Sequence, residues 1–299
     1  MLLALFPLFF VGGPDYYSAR SYKSLWSFGH LIFFFLLTAL LLRKNSGVSQ
    51  RGFAFQCIVT LCLTVVVGVG VEFIQAGLSR EISVHDVWLD IVGSLMGLYC
   101  FSHLRQEVGR LVSSAIAIFL LLVVIVELMI VVDYWQDEKR MAAQFPLLAD
   151  FEKKIELTRW SGNAKIYKSS SHISSGEFSL AIDTTLDQFS GVGMRYFVTD
   201  WRDYSDLVLD VFSGQSFDVS LTLKIYDGQH RKSDQLYADR FNKSFLLMPG
   251  WNTIVVSLKE LESAPNNRTM DLSNIVGLHF FVTEQEKSYR FYLDNLRLQ

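Results

Sequence analysis

The sequence predicts two fold classes in one chain: a membrane α-helical bundle of four to five transmembrane helices, then an all-β antiparallel sandwich. Three observations carry this. The 299 residues are 51% hydrophobic with a mean hydropathy of +0.27, too apolar for an ordinary soluble protein. Nearly all of the excess lies before about Val132. From about Asp150 onward, apolar and polar residues alternate with period two, the signature of half-buried strands. The expected division is a membrane domain over 1–132, a linker over 133–149 and a sandwich over 150–299. The net charge of -3 shows no basic excess, which argues against a nucleic-acid partner. Cys57, Cys62 and Cys100 all precede the sandwich, which therefore has no disulfide framework. At about 150 residues it is large enough to bury a core without one.

A helix needs roughly 20 apolar residues to cross a bilayer. Leu25 to Leu42, Phe53 to Ala76, Val84 to Phe101 and Leu111 to Val132 fit that length. Met1 to Gly13 is shorter and contains Pro7, and it lacks the basic start and small-residue cleavage pattern of an export signal. It reads as a short or truncated span. Arg43, Lys44 and Arg51 follow the second span, and Arg105 and Arg110 follow the fourth, so those loops are expected in the cytoplasm. The C-terminal domain then falls outside the inner membrane of a multi-pass protein.

That topology brings His30, Glu72, Gln75, Asp86 and Asp90 to one depth, with Arg80 in the loop between. Asp86, Asp90, Gly93 and Gly97 share a helical stripe about 60° wide, and Gly68, Glu72 and Gln75 share another. Gly93-x-x-x-Gly97 admits a close helix neighbour. Glu127, a lone acid near the outer interface, reads as a side chain snorkelling to water.

Across these positions the chain resembles the VanZ-like membrane family. Glu72, Gln75, Arg80, Ser83, Asp86, Gly93 and Gly97 follow its pattern of Glu-x-x-Gln, then Arg, then Asp, then paired glycines. His30 before Phe33, Phe34 and Phe35 looks like the family's histidine. The chain departs from the pattern at Trp26, where the family usually has Asp, and at Asp90, where it has Asn. The resemblance covers about residues 1–105. It implies a small polytopic protein of the bacterial cell envelope, in a family whose namesake is linked to glycopeptide resistance, with no reaction established for the family at large. The missing acid at Trp26 leaves any scheme needing an Asp and His pair dependent on Asp90.

In the second half, Phe217, Val219, Leu221, Leu223 and Ile225 alternate with polar residues. Leu207 to Phe212, Trp251 to Leu258, Ile275 to Thr283 and Tyr289 to Leu298 read as further strands, with turns at Asp227-Gly228 and Pro249-Gly250 and a helical turn over Leu258 to Ser263. Many short strands with little helix indicate an antiparallel sandwich. Asp150, Phe151, Glu152, Trp160, Gly176, Phe178, Asp200, Trp201, Tyr204, Trp251 and Tyr292 to Leu296 make the segment similar to the galactose-binding-like jelly rolls of carbohydrate-binding modules. That resemblance implies a structural calcium held by Glu152 and Asp294, although the same acids could cap turns or pair with lysine. A glycan ligand needs aromatics on an exposed sheet face. Tyr226, His279 and Phe281 lie opposite the core residues of their strands, and Trp201 lies in a loop; these four are the candidate ligand-binding residues.

Two functions follow. The first is a non-enzymatic envelope protein with a lipid-embedded domain and an external glycan-binding domain, acting in cell-surface polysaccharide or peptidoglycan processes. The second is an enzyme or transporter of lipid-linked glycan intermediates, using His30, Glu72, Asp86 and Asp90 as acid, base or cation-binding groups. No nucleophile elbow, phosphate loop or dinucleotide fingerprint accompanies them, which ranks it second.

Overall fold

The computed structural model describes residues 13–15, 18–77, 83–283 and 285–299. All of the expected first span except Gly13, and Arg80, lie outside these. The chain divides into two compact units, residues 1–135 and 136–299.

In the first unit, α1 (Arg20–Lys44), α2 (Phe53–Gly77), α3 (Val84–Phe101) and α4 (Arg110–Gln144) are each long and apolar enough to cross a membrane. The side chain of Ser83 starts α3 by accepting from the Asp86 amide at 3.1 Å, with Asp86 itself in the first turn, where its charge suits the helix dipole. The connections after α1 and α3 meet at one end of the bundle. There Gln56 donates to the carbonyls of Ser49 and Arg51, both at 2.9 Å, and His103 Nε2 donates to the Ser49 carbonyl at 2.8 Å.

The α1–α3 contact is set by glycine. A methyl at Gly93 would run into the Leu31 carbonyl, and one at Gly97 into the Thr38 side chain, so the two backbones touch where a side chain would hold them apart. Around this seam Phe34, Leu89 and Leu98 are fully enclosed. By contrast α4 exposes Leu111, Phe119, Leu121 and Met129 on several sides. A helix apolar on several sides, and this long, suits a membrane span. Glu127 is a correction to the snorkelling expectation. It is buried, and its carboxylate accepts from His85 Nε2 at 2.9 Å and from the Trp88 indole at 3.2 Å, so it joins α4 to α3.

The second unit is a sandwich of two antiparallel sheets. Its strands are β1 (Leu147–Ala149), β2 (Trp160–Gly162), β3 (Lys165–Ser169), β4 (Ser179–Asp183), β5 (Phe189–Met194), β6 (Asp206–Ser213), β7 (Val219–Asp227), β8 (Phe241–Leu247), β9 (Gly250–Ser257), β10 (Ile275–Thr283) and β11 (Arg290–Leu298). One sheet runs β3-β4-β11-β6-β9, with β1 added on β11; the other runs β2-β5-β10-β7-β8. Alternate residues of each strand, among them Leu209, Leu223, Ile225, Leu278, Phe280 and Leu293, interlock as the core between the sheets.

The expected linker is a correction as well. Residues 136–144 continue α4, because Gln136, Glu138, Lys139, Arg140, Met141 and Ala142 are strong helix formers. Met141 and Phe145 pack on the sandwich core, and β1 pairs with the last strand. The segment is pinned by charge. Fully buried Arg159 grips Asp137 with Nε at 2.9 Å and Nη2 at 2.7 Å, and its Nη1 reaches the Leu148 carbonyl at 3.3 Å.

Gly93→Ala and Gly97→Ala are each expected to destabilise the helical unit by about 1–3 kcal/mol, the usual cost of forcing an extra carbon into a closed contact. Gly70→Ala, at a position with open space around the added methyl, should leave it unchanged. Thermal unfolding of the detergent-solubilised protein measures the difference.

Candidate functional site

Two groups of side chains stand out, one in each unit. In the helical unit the seam between α1 and α3 places His30 Nδ1 2.9 Å from Asp90 Oδ1. A carboxylate accepts, so the imidazole N–H donates from Nδ1 and Nε2 is turned the other way. There it faces Asp86 Oδ2 at 3.7 Å. Glu72, arriving from α2, completes the group: one ligand-capable atom from each of His30, Glu72 and Asp86 lies within 4.8 Å of the other two. His30, Glu72 and Asp90 are almost completely buried. Glu72 Oε2 accepts from the Ser83 amide at 2.8 Å, whereas Glu72 Oε1, Asp86 Oδ1 and Asp90 Oδ2 are enclosed without a hydrogen-bond partner among the described residues. Gly68 leaves the space that Asp90 Oδ2 occupies.

The carboxylate missing at Trp26 is thus supplied by Asp90 from a different helix. Gln75 is buried on α2. Of the six cluster residues read from the sequence, four converge, Gln75 is buried beside the same turn of α2, and Arg80 lies outside the described residues.

In the second unit the outer face of the five-stranded sheet collects three of the four aromatic candidates. Along β10, His279 and Phe281 alternate with the buried Leu278, Phe280 and Val282. Opposite them, β5 has Gly193 paired with His279 and Gly191 paired with Phe281. An added methyl at Gly193 would overlap the His279 ring, and one at Gly191 would run into the Phe280 carbonyl and the Cα and Cβ of Phe281. The His279 ring therefore lies over bare backbone. Tyr226 stacks on His279 at 5.6 Å with a 24° tilt, its hydroxyl 3.2 Å from Nε2, and Phe189 meets Phe281 edge-on at 6.0 Å. Thr222 and Ser244, hydrogen-bonded to each other at 2.8 Å, and Asn242 continue the face across β7 and β8.

The charge on this face is one-sided. Burial first, then Lys224, Arg195, Arg240 and Arg231, push the His279 imidazole down to about 4. Burial, with Arg240 and Arg231, lowers the Lys224 amine to about 8. No carboxylate pairs with Lys224 among the described residues. The sequence missed Lys224, Asn242 and Arg240. Their alternation with the core residues of β7 and β8 was the available signal, but the face is recognisable only when β10 is known to lie beside β7.

Beside this face, Arg268 clamps Asp227 and Asp239 at 2.9 and 3.1 Å through Nη2, while Asp227 caps the His230 amide at 2.9 Å. The Asp227-Gly228 turn thereby opens a short helix, Gly228–Lys232. Buried His230 Nε2, Asn242 Oδ1 and Arg240 Nε have no hydrogen-bond partner.

The other sheet also carries aromatics on its outer side, Phe212, Trp251 and Tyr292. The chain covers part of that group itself. His172 stacks on Phe212 at 3.7 Å and leans on Tyr292 at 4.6 Å, and Ser174 Oγ donates to Asp210 at 3.0 Å.

Two expectations are corrected here. Trp201 is completely enclosed in the core, packs against Phe197 and donates its indole N–H to the Val198 carbonyl at 2.8 Å, so it presents no surface to a ligand. Glu152 and Asp294 do not fit a calcium site as arranged. Glu152 Oε1 accepts from the amides of Glu177 and Phe178 at 2.7 and 3.1 Å. Asp294 accepts from those of Ser174, Ser175 and Asn295 at 2.8, 3.0 and 2.7 Å. Calcium requires six to eight oxygen donors; N–H groups converge on these carboxylates instead, and both serve to hold the 174–178 loop.

No family model matches the chain, and no curated protein matches it. Solved structures resemble its C-terminal half. An exo-β-agarase aligns with a TM-score of 0.42 and 16% identity over 51% of this chain, which spans only 24% of that enzyme. The family 11 carbohydrate-binding module of Clostridium thermocellum, in complex with a β-1,3-1,4-mixed-linked tetrasaccharide, aligns at 0.38 and 19%, covering 51% of this chain and 93% of that one. The CBM22-1 xylan-binding domain of Paenibacillus barcinonensis Xyn10C aligns at 0.36 and 13%, covering 52% and 92%. Identities this low carry no ligand across.

Arg268→Ala is expected to destabilise the sandwich by about 3–5 kcal/mol, since it strands the fully buried Asp227. Burial alone would raise the Asp227 pKa, but Arg268 and the amides of Asp271 and His230 bring it below the ordinary value. This stabilisation is present above the unfolded pKa of about 3.9 and lost as pH falls through the lower folded one. Denaturation at pH 7 and pH 3 should show the variant's deficit shrinking in acid.

Proposed function

We propose that the chain is an envelope membrane protein whose sandwich binds an acidic glycan on the outer face of its five-stranded sheet. The observation that carries this is the combination at His279, Phe281 and Lys224: an imidazole over the bare backbone of Gly193 and backed by the buried Tyr226 ring, a neighbouring phenyl, bordering hydroxyl and amide groups, and an amine with no carboxylate partner among the described residues. Sugar rings stack on aromatic faces through their C–H edges while their hydroxyls take the neighbouring polar groups. A carboxylate, sulfate or phosphate substituent would meet Lys224, whose charged groups nearby are Arg240 and Arg231.

The membrane unit reads as VanZ-like on the spacing of Glu72, Asp86, Gly93 and Gly97, and the two glycines make the helix contact that such spacing requires. The basic loops after α1 and α3, which share one end of the bundle, favour a cytoplasmic position for that end and an external one for the sandwich. In this arrangement the protein holds a surface polysaccharide or peptidoglycan component close to the bilayer. The role is recognition, without a reaction. The group of His30, Glu72, Asp86 and Asp90 favours a second reading, chemistry on or transport of a lipid-linked envelope intermediate, because acids this deeply enclosed and only partly hydrogen-bonded exceed what helix packing requires.

Affinity electrophoresis in gels containing alginate or neutral pullulan tests the glycan reading. Alginate should retard the detergent-solubilised protein and pullulan should not. Lys224 is charged below its pKa of about 8, so retardation should persist at pH 7 and weaken through pH 8–9. His279, neutral above about 4, contributes nothing to that step. Lys224→Met should abolish the pH step and lower affinity about tenfold, or about 1.4 kcal/mol. Equal mobility in gels with and without a broad set of acidic polysaccharides would sink the proposal.

A further inference from the structure

We infer that the first unit holds a divalent transition-metal ion, bound by His30 Nε2, Glu72 and Asp86, with Asp90 positioning the histidine. The inference does not depend on the glycan reading. It starts from geometry. The three ligand atoms lie within 4.8 Å of one another. Two metal–ligand bonds of about 2.1 Å span at most about 4.2 Å, so small side-chain rotations close the group on an ion.

The second observation is independent of that spacing. Glu72 is 3% exposed, and its Oε1 has no hydrogen-bond partner among the described residues; Asp86, 16% exposed at its side chain, likewise has an enclosed Oδ1 without one. Enclosed carboxylate oxygens without donors are costly unless a cation meets them. Amide N–H groups have already been supplied where the fold needs them, at Glu72 Oε2 from Ser83. The remaining oxygens are the ones left over for an ion.

Asp90 gives the arrangement its direction. It is fully buried, and its Oδ1 accepts from His30 Nδ1 at 2.9 Å. Metal-binding histidines are commonly held in this way, with a carboxylate on one nitrogen fixing the tautomer and the ring plane so that the other nitrogen's lone pair is available. Gly68 makes the room for that carboxylate, since a methyl there would collide with Asp90 Oδ2. Three helices therefore contribute: α1 the histidine, α2 one acid and the glycine, α3 the second acid and the positioning residue.

The donor set selects the ion. Imidazole nitrogen with two carboxylates suits zinc or another first-row divalent metal, whereas calcium and magnesium prefer all-oxygen shells. The two ligand carboxylates neutralise a dication, which removes the charge of Glu72 and Asp86 from low-dielectric surroundings. Three protein ligands leave a fourth position for water or a substrate oxygen, as in zinc sites that do chemistry rather than only brace a fold.

The test is metal content of the full-length protein in detergent, measured by mass spectrometry after loading with zinc and washing with a weak chelator. About one equivalent is expected for the wild type, and a loss of at least tenfold for Glu72→Gln and Asp86→Asn. Cobalt loading should give visible d–d bands in the wild type. Asp90→Asn keeps all three ligands, so its bands should persist while the zinc Kd rises 10–100-fold. This graded variant separates metal loss from misfolding, and monodisperse elution confirms that each protein is folded. Wild-type zinc no higher than in Glu72→Gln, or cobalt without bands, would overturn the site and leave the cluster a proton-sharing group.

Discussion

A carboxylate with no exposure inside an apolar bundle has to be met by another group, and much of the helical unit is arranged around meeting Asp90. The partner is His30, two helices away in sequence, at 2.9 Å. That distance requires α1 and α3 to approach until backbone touches side chain, which is what Gly93 and Gly97 allow. Gly68 on α2 gives Asp90 Oδ2 its space. Three glycines on two helices are explained by one hydrogen-bonded pair. The weak helix propensity of glycine, about 1 kcal/mol each against alanine, is offset because the alternative is a buried charge left without a partner, which costs several kcal/mol. Thr64 and Ser94, sharing a hydrogen bond at 2.6 Å, extend the polar seam between α2 and α3.

The same rule governs the sandwich at its junction with the end of α4. Arg159 and Asp137 are both enclosed, and the guanidinium uses two nitrogens on the carboxylate and a third on the Leu148 carbonyl. Bidentate geometry of this kind is where a buried ion pair recovers its desolvation cost. Glu156 adds to it by accepting from the amides of Phe151 and Lys153 at 3.0 and 3.2 Å, fixing the chain as it enters the first turn after β1.

The strands and spans that are long and cleanly periodic were legible in the sequence. β6, β7, β9, β10 and β11 fall within two residues of the ranges read from alternation, because each has one wholly buried face. β1, β2, β3, β4, β5 and β8 were not read. They are short or lie at sheet edges, where polar residues such as Lys243 and Ser244 interrupt the pattern. The convergence of His30, Glu72 and Asp86 followed from depth and helical phase, since both are fixed by counting residues along a span. The pairing of His30 with Asp90 rather than a local acid needed the helix contact itself. Trp201 failed for a related reason. Its loop position suggested exposure, yet that loop folds inward and its indole finds the Val198 carbonyl. The stretch expected as a linker differs because Gln136, Glu138, Lys139, Arg140, Met141 and Ala142 are strong helix formers and carry α4 on to Gln144.

The two sheet faces of the sandwich differ in a way that composition alone would hide, since both carry aromatics. On the six-stranded side the rings of Phe212 and Tyr292 are packed against His172, while Trp251 stays exposed beside them. On the five-stranded side β5 spends Gly191 and Gly193 on positions that point away from the core. Glycine in a strand weakens it and packs nothing, so stability does not account for the pair. What Gly193 provides is bare backbone for the His279 ring to lie over, with the buried Tyr226 ring stacked on the imidazole. Among the described residues, buried polar atoms of His230 and Asn242 nearby have no hydrogen-bond partner. The face takes its aromatic and cationic character from register: pairing β10 with β7 sets His279 opposite Lys224, and both point away from the core because Leu278 and Ile225 beside them point into it.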